Sequence, residues 1–382
     1  MEEQLAAVQY LAQEIGPRPP TSASEARAAA YVNSRMRQAG LEVEVQPFRA
    51  LPTLALPLGL LYLAAALTPL LYVYSRPVAV ATSLLALLVL VVEAPAFPTF
   101  SSCFPLGRSQ NVIGTRPAAQ ESRRHLIFLA HLDTGRAGFL YHPRLVADRR
   151  RLFFLRLVLF FSLPLLAGMG WWLGSVEFWY AQWVPAGILA WALLLLLVQE
   201  AFRPYVAGAN DNASGLSVLL RLADELKGLQ HTDLWLVATG CQEAGQVGAG
   251  RFLDRYPFPR ESTYVVNLDS VGGGNLHLIV EAGLLRPRRC PPHFAELAGE
   301  AEAEEIIVDA DPWAWTLADS DAVAALRRGL PALSITALEE GRPAHWHRPE
   351  DTFAHIQPEL LERAARLAVS IARRLDRLPV ET

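Results

Sequence analysis

Charged residues are scarce in this chain of 382 residues, in which they make up 19% of the total, against 52% hydrophobic residues. The mean hydropathy is positive, at +0.21. This composition is too apolar for an ordinary soluble enzyme, so segments that span a membrane are expected.

Cysteine is scarce as well, and neither sign of charge dominates. Cys103, Cys241 and Cys290 are widely separated and odd in number, which excludes a disulfide framework and favours a reducing compartment. A net charge of -4 with a pI near 6.2 gives no reason to expect nucleic acid. Residues 1–16 are amphipathic and acidic and lack the basic start and apolar core of a signal peptide.

Four apolar runs are each long enough to cross a bilayer core of about 30 Å. They form two hairpins, and each hairpin returns the chain to the side that it left. Buried core helices are the alternative interpretation. The predicted runs are 51–74, 78–97, 152–173 and 179–198, which gives hairpins at 51–97 and 152–198 inserted into a globular domain formed by 1–48, 101–150 and 201–382.

The distribution of arginine predicts the orientation of the hairpins. Arg149, Arg150 and Arg151 flank the third span on the globular side, whereas the loop between the third and fourth spans has no Lys or Arg. Arg76, between the first and second spans, is the one charge that favours the opposite orientation. The positive-inside rule therefore predicts an integral protein of a bacterial-type plasma membrane with its globular domain in the cytoplasm.

Outside the hairpins, strand and helix patterns alternate along the chain. This alternation predicts an α/β fold with a mixed, mostly parallel sheet and helices on both faces. Ligands of such sheets lie beyond the carboxyl ends of the strands. Strand patterns occur at 41–45, 125–130, 234–238, 264–268, 276–280 and 332–336, and helical patterns at 1–16, 24–39, 213–227, 246–253, 321–328 and 358–378.

The polar turn Gly-Ala-Asn-Asp-Asn-Ala-Ser-Gly at 208–215 precedes one of these helices. A carboxylate held rigidly at such a junction, here Asp211, suits a bridge between two metal ions because its oxygens point in different directions. An ordinary Asx-turn that leads into a helix is the alternative.

Further metal-binding side chains follow the predicted strands. His131 and Asp133 come after the strand at 125–130, Glu243 after the strand at 234–238, and Asp269 after the strand at 264–268. His347 lies in a later loop. Each residue alone is typical of a hydrogen-bonded structural position. Together with Asp211, they supply two imidazoles and three carboxylates at one sheet edge, a set that suits two zinc ions, and Asp133 is placed to fix the tautomer of His131.

These motifs, with Ile15-Gly16-Pro17-Arg18 near the start, make the chain resemble family 28 of the metallopeptidases. That family comprises di-zinc aminopeptidases, glutamate carboxypeptidases and glutaminyl cyclases, so a zinc exopeptidase-like fold with four transmembrane helices in two inserted hairpins is expected. The resemblance implies that two zinc ions are bridged by Asp211. It assigns one ion to His131 and Asp269, and the other to Glu243 and His347.

The same resemblance assigns the catalytic positions. Asp133 matches the aspartate beside the ligating histidine, and Gln242 stands where the family has a glutamate as general base. A carboxamide cannot accept a proton at neutral pH, which typically costs about 10² to 10⁴ in rate. Asp321 and His345 are expected in the substrate site. Both are candidates for the missing base, as are Glu339 and Glu340.

The motif that contains Asp321 has Ala322 where the family has histidine, and a membrane hairpin replaces the usual short loop between Asp133 and Asp211. The sequence therefore predicts a membrane-anchored zinc exopeptidase that resembles aminopeptidases and removes N-terminal residues from peptides, with impaired catalysis. The alternative is a catalytically silent scaffold that binds metal and peptide. A transporter ranks third, because the spans carry few ionisable groups. Peptide and lipid bilayer are the expected partners, and the oligomeric state is not predicted.

Overall fold

The computed structural model describes residues 1–93, 103–104, 106–305 and 313–379. The end of the second predicted span, 94–97, and the residues 101, 102 and 105 of the predicted globular segment lie outside them. The chain divides into two compact units. Unit 1 comprises Met1–Pro52, Gly107–Ala137 and Pro204–Thr382, and unit 2 comprises Thr53–Leu106 and Gly138–Arg203.

Helices and strands alternate along most of the chain. The helices are α1 Glu2–Gln9, α2 Ala23–Gln38, α3 Ala55–Ala66, α4 Thr68–Tyr74, α5 Arg76–Glu93, α6 Arg149–Leu173, α7 Glu177–Phe202, α8 Gly215–Glu225, α9 Val247–Arg255, α10 Pro292–Glu305, α11 Asp321–Arg327 and α12 Pro358–Arg377. The strands are β1 Glu42–Ala50, β2 Gly107–Arg116, β3 Arg124–His131, β4 Thr232–Thr239, β5 Thr263–Leu268, β6 Asn275–Ala282, β7 Arg288–Arg289, β8 Trp313–Trp315 and β9 Ala332–Leu338.

Unit 1 is built on one mixed sheet, which confirms the predicted α/β class. The strand order is β1-β2-β4-β3-β5-β9-β6-β7, and β8 pairs with β6. The central strands β4, β3, β5 and β9 are parallel to one another, whereas β1, β2 and β7 are added in antiparallel pairs and β6 runs antiparallel to β9. The parallel part places the carboxyl ends of four strands at one edge.

Helices cover both faces of this sheet. Along β3, Leu126 and Phe128 belong to one buried cluster, which α8 and α12 complete, whereas Ile127 and Leu129 belong to a second cluster with α9 and α11. Successive side chains of a strand point to opposite faces. A strand that is buried on both faces is therefore continuously apolar, and each fully buried Leu, Ile or Phe contributes about 1.5–3 kcal/mol.

The helices of unit 2 agree with only part of the predicted membrane topology. Within the described residues, two helical stretches are long and apolar enough to cross a membrane, Val146–Leu173 and Glu177–Phe202. In the first hairpin, α3 and α4 form a pair bent by 48°, and α5 is a shorter apolar helix. The bend lies at Leu67, just before Pro69, which has no N–H for the helical ladder. Length and composition thus support two spans, or three if the bent pair is one span.

Apolar side chains of unit 2 face both inward and outward. Phe160, Leu163 and Leu189 are buried in a cluster with residues of α3 and α5. Trp172 is 84% exposed and Trp191 is 61% exposed, and many other large apolar side chains of α6 and α7 are exposed too. Outward-facing apolar side chains of this density are expected where helices contact lipid.

Candidate metal centre

Five potential metal ligands gather at the carboxyl edge of the parallel strands. His131 is the last residue of β3, Asp269 directly follows β5, and Glu243 lies in the turn after β4. Asp211 lies in the irregular turn before α8, and His347 in the loop between β9 and α12. Because β4, β3 and β5 are parallel neighbours, the segments that follow them meet at one place.

The five side chains form two groups that share Asp211. One group is His131, Asp211 and Asp269, the other is Asp211, Glu243 and His347, and the ligand atoms within each group lie within 4.8 Å of one another. Nε2 of His131 lies 3.0 Å from Oδ1 of Asp211, and Nε2 of His347 lies 3.2 Å from its Oδ2. Each carboxylate oxygen of Asp211 therefore faces a different histidine, as a bridging ligand requires.

The donor set fits zinc, which imidazole nitrogens and carboxylate oxygens bind well. His131, Asp211 and His347 are each at most 5% exposed. The carboxylates around His131 raise its pKa well above the ordinary value, although burial alone would lower it, and burial raises the pKa of Glu243. Three carboxyl groups share this largely buried centre, and burying them without a compensating cation costs free energy. A bound divalent cation would supply that compensation.

Asp211 is held by a second aspartate that the sequence analysis assigned no role. Both oxygens of Asp351 accept backbone hydrogen bonds, from Asn210 at 2.6 Å and from Asp211 at 3.1 Å. Asn212 adds a second anchor, because its amide donates to the carbonyl of Leu268 at the end of β5. The irregular turn thus has the buried polar partners that fix its backbone.

Asp133 lies beside the imidazole of His131, and its backbone makes the closer contact. Nδ1 of His131 lies 3.0 Å from the backbone carbonyl of Asp133 and 3.7 Å from its carboxyl group. The carbonyl therefore holds the imidazole with Nε2 toward Asp211. Both carboxyl oxygens of Asp133 are occupied elsewhere, since they accept the N–H groups of Gln242 and Glu243 at 2.9 Å each. Asp133 thus aligns the turn that carries Glu243.

Arg18 joins the segments around the centre. Its guanidinium is fully buried and donates to the carbonyls of Leu132, Ala207 and Gly208 at 2.8–2.9 Å, and to two carbonyls near the end of the first helical region. Burial lowers the pKa of Arg18 to about 10, and the charge of Asp351 opposes that effect. Arg18 therefore ties the end of β3 to the turn of Asp211.

Gln242 precedes Glu243, a potential metal ligand, and is 9% exposed. Its Nε2 is 3.5 Å from the carbonyl of Asp319, and Nε2 of Gln246 lies at the same distance from that carbonyl. A carbonyl oxygen accepts hydrogen bonds, so it favours a carboxamide over an ionised carboxylate at position 242.

The other sequence candidates have different surroundings. Asp321 is 1% exposed and accepts a hydrogen bond from the hydroxyl of Thr239 at 2.5 Å, and burial raises its pKa to about 7. His345 stacks at 4.4 Å on the ring of His355. Glu339 and Glu340 lie in the turn after β9, where Glu340 is exposed and pairs with an arginine of the same turn. Of these four, Asp321 is the one whose carboxyl group is buried beside the centre.

Two sequence comparisons show which known proteins this chain resembles. Residues 197–372 match the model of peptidase family M28, a stretch that contains four of the five potential ligands but begins after His131. Aminopeptidase YwaD of Bacillus subtilis (strain 168) is 27% identical over 179 residues, which are 44% of this chain and 37% of that protein. The resemblance to peptidase family M28 is confirmed. The matched stretch spans little more than a third of the curated relative.

Solved structures of the M28 type share the fold over almost the whole chain. The zinc aminopeptidase BSAP from Bacillus subtilis has a TM-score of 0.58 at 17% identity and covers 97% of this chain and 93% of its own. Glutaminyl cyclase from Bacteroides thetaiotaomicron has a TM-score of 0.57 at 15% identity and covers 97% of both chains. One fold thus carries hydrolysis in one relative and cyclisation in the other, so the fold alone does not select the reaction.

Proposed function

We propose that the protein is a zinc-dependent exopeptidase of the aminopeptidase type that removes N-terminal residues from peptides. The observation that carries the proposal is the arrangement of Asp211, whose two oxygens face His131 and His347 separately. In this proposal, His131 and Asp269 hold one zinc ion, Glu243 and His347 hold the other, and Asp211 contacts both. Zinc in such a centre polarises a carbonyl and lowers the pKa of water.

The residues of the chain would position the reactants around that centre. Asp351 and Arg18 hold the turn of Asp211, and Asp133 holds the turn of Glu243. Gln242 can orient a water molecule through its carboxamide but cannot take its proton at neutral pH. The proposed enzyme is therefore slow, by the factor of about 10² to 10⁴ that a general base usually supplies.

A second function is a silent scaffold that binds metal and peptide without hydrolysis. The observation that favours it is the carboxamide of Gln242 at the position of the general base, next to a carbonyl that suits an amide. The five metal ligands are all present, however, and a protein without catalysis has less need of them. We therefore rank the exopeptidase first.

We further propose that unit 2 anchors the protein in a bacterial-type plasma membrane through four spans, with unit 1 in the cytoplasm. The helices α6 and α7 support the second hairpin, and the arginines at the start of α6 support the orientation. Reporter fusions at Thr382 and within 174–179 are expected to report opposite sides of the membrane. A C-terminus on the outer side would contradict the orientation.

The central experiment combines metal analysis with an activity panel. The purified protein should contain about two zinc ions per chain and slowly hydrolyse at least one aminoacyl-arylamide in a panel that covers apolar, basic and acidic residues. Zinc without hydrolysis of any member would favour the scaffold. Cyclisation of an N-terminal glutaminyl peptide in place of hydrolysis would assign the protein to the cyclase reaction.

A further inference from the structure

Three consecutive backbone N–H groups in the turn of Glu243 donate hydrogen bonds to buried carboxyl groups. Those of Gln242 and Glu243 donate to Asp133, as described above. The N–H of Cys241 donates to Oε1 of Glu25 at 3.0 Å. Two side chains from distant parts of the sequence therefore hold these three residues, and only one of them, Asp133, lies within two residues of a proposed metal ligand, His131.

Glu25 lies in the first turn of α2 and is fully buried. Its second oxygen, Oε2, accepts the N–H of Thr21 at 2.9 Å, while its own N–H donates to the hydroxyl of Ser22 at 3.1 Å. Ser22 is therefore the N-cap of α2, and Glu25 holds the residue before it. One carboxyl oxygen thus contacts the start of α2, and the other contacts the turn after β4.

The turn after β4 needs such support because its backbone is strained. Cys241 has a φ of +54°, a conformation that costs a residue other than glycine about 1–3 kcal/mol. Gly240 precedes it, and a Cβ there would lie 3.0 Å from Oε1 of Glu25, so the contact is close. The hydrogen bond from Cys241 to Glu25 helps to retain the conformation that presents Gln242 and Glu243.

The electrostatics of Glu25 match a buried group that serves as an acceptor. Burial raises the pKa of Glu25 to about 8, and the nearby charge of Asp133 acts in the same direction. The hydroxyl of Ser109 and the N–H groups of Cys241 and Thr21 oppose this shift. Leaving buried N–H groups without an acceptor costs about 1–3 kcal/mol each, so removing the Glu25 side chain would favour a rearrangement of the turn.

We propose that Glu25 is a positioning residue for the metal ligand Glu243, which it holds through the backbone of Cys241. This inference rests on the proposed function, because it assumes that Glu243 binds zinc. His131 is the last residue of β3 and Asp269 directly follows β5, so neither lies in the turn after β4. Loss of Glu25 therefore weakens the ion held by Glu243 and His347 and leaves the other ion in place.

The test measures the two zinc affinities separately, by titrating the metal-free protein in a series of chelator buffers. For Glu25→Ala, one dissociation constant is expected to rise about 10- to 100-fold, the usual effect of removing a group that orients a ligand. The other dissociation constant should stay within about threefold of the parental value, a change much smaller than that effect. The absorption spectrum of the cobalt-substituted protein should change for the weakened site alone.

Ser22→Ala is the matched control, because it removes the N-cap hydroxyl of the same helix and leaves the contact with Cys241 intact. It should lower the Tm, since such a cap is worth about 1 kcal/mol, while both zinc affinities stay parental. If Glu25 only stabilises α2, Glu25→Ala will also lower the Tm and leave both zinc affinities parental. That result would overturn the proposal.

Two further variants keep the test decisive if Glu25→Ala does not fold. Glu25→Gln retains an oxygen acceptor for Cys241 and should restore both affinities to within about threefold. Glu25→Asp keeps the acid but is shorter, so it should show the selective loss of one ion. Parental affinities in a folded Glu25→Asp would refute the role of Glu25, whereas a parent protein without zinc would refute the proposed function itself.

Discussion

Gly135 lies directly against the imidazole ring of His347. A Cβ atom built on Gly135 would lie 2.6 Å from Nδ1 of His347 and closer still to the far side of the ring. The close approach has a functional consequence, because Nε2 of the same ring faces both Asp211 and Glu243. Absence of a side chain at position 135 is thus a condition for the position of His347, a proposed metal ligand.

The substitution Gly135→Ala should therefore displace His347. We expect the zinc affinity of the site formed by Glu243 and His347 to fall about 10- to 100-fold, with a stability loss of about 1–3 kcal/mol from overpacking. Titration of zinc into the metal-free variant measures the first effect. Gly250→Ala is the control, because its Cβ would meet its nearest neighbour at an ordinary 3.5 Å. Parental zinc affinity in Gly135→Ala would show that His347 is not a ligand.

Asp351→Ala should weaken both ions, because Asp351 holds the backbone of the shared ligand Asp211. We expect both zinc dissociation constants to rise, by about 10-fold or more. Asp376→Ala is the matched control, since Asp376 also accepts two backbone N–H groups, those of Gln230 and His231, in another part of unit 1. The control should lose some thermal stability but no zinc. Selective loss of one ion in Asp351→Ala would contradict the assigned bridge.

Local sequence pattern predicted the elements that carry the ligands. β3 is continuously apolar from Leu126 to Ala130 and ends at His131, so both the strand and the histidine at its end were apparent from the sequence. Strand β2 was not predicted, because its sequence is polar. Its Asn111 is fully buried, and the amide donates to Gln46 of β1 at 2.8 Å. A buried polar residue that is satisfied by a distant partner gives no local signal.

The supporting residues escaped prediction for the same reason. Glu25 looks like an exposed acid in the first turn of an amphipathic helix, and its contact with Cys241 joins segments 216 residues apart. Asp351 lies in the same loop as His347, and its hydrogen bonds to the turn of Asp211 depend on the tertiary fold. The bend before Pro69 shows a similar limit, since an apolar run reveals its length but not whether it is straight.

Asp321 should make the stability of the metal-free protein dependent on pH. Burial raises its pKa to about 7, far above the ordinary value of an aspartate. Between those values the folded state keeps a proton that the unfolded state has released, so this group stabilises the protein at low pH and loses that effect as the pH rises to 7. The largest slope from one such group is about 1.4 kcal/mol per pH unit.

The substitution Asp321→Asn removes that titration and keeps the shape of the side chain. The Tm of the metal-free variant, followed from pH 5 to 8, should therefore fall less with rising pH than the Tm of the parent. Asp224→Asn, which makes the same chemical change at an exposed aspartate near the end of α8, is the control. An unchanged slope in Asp321→Asn would show that this carboxyl group does not carry the pH dependence.

Gln242→Glu should increase peptidase activity by about two to four orders of magnitude, the range that a general base supplies. The side chain keeps its length, and the backbone N–H of residue 242 still donates to Asp133. Kinetic measurement on an aminoacyl-arylamide, with zinc content determined in parallel, checks this expectation. Normal zinc content with unchanged turnover would mean that another group is the base or that the site does not admit peptides. Alanine substitutions of Asp321, Glu339, Glu340 and His345 would then identify the base.

The zinc content of the parent and of Asp211→Ala tests the central claim most directly. Both oxygens of Asp211 face a histidine, so one substitution removes a ligand from each site at once. Elemental analysis should find about two zinc ions per parent chain and a loss of most of both in Asp211→Ala, whereas Asp224→Ala keeps the parental content. A parent without zinc, or an Asp211→Ala variant that retains the parental zinc content, would contradict the account.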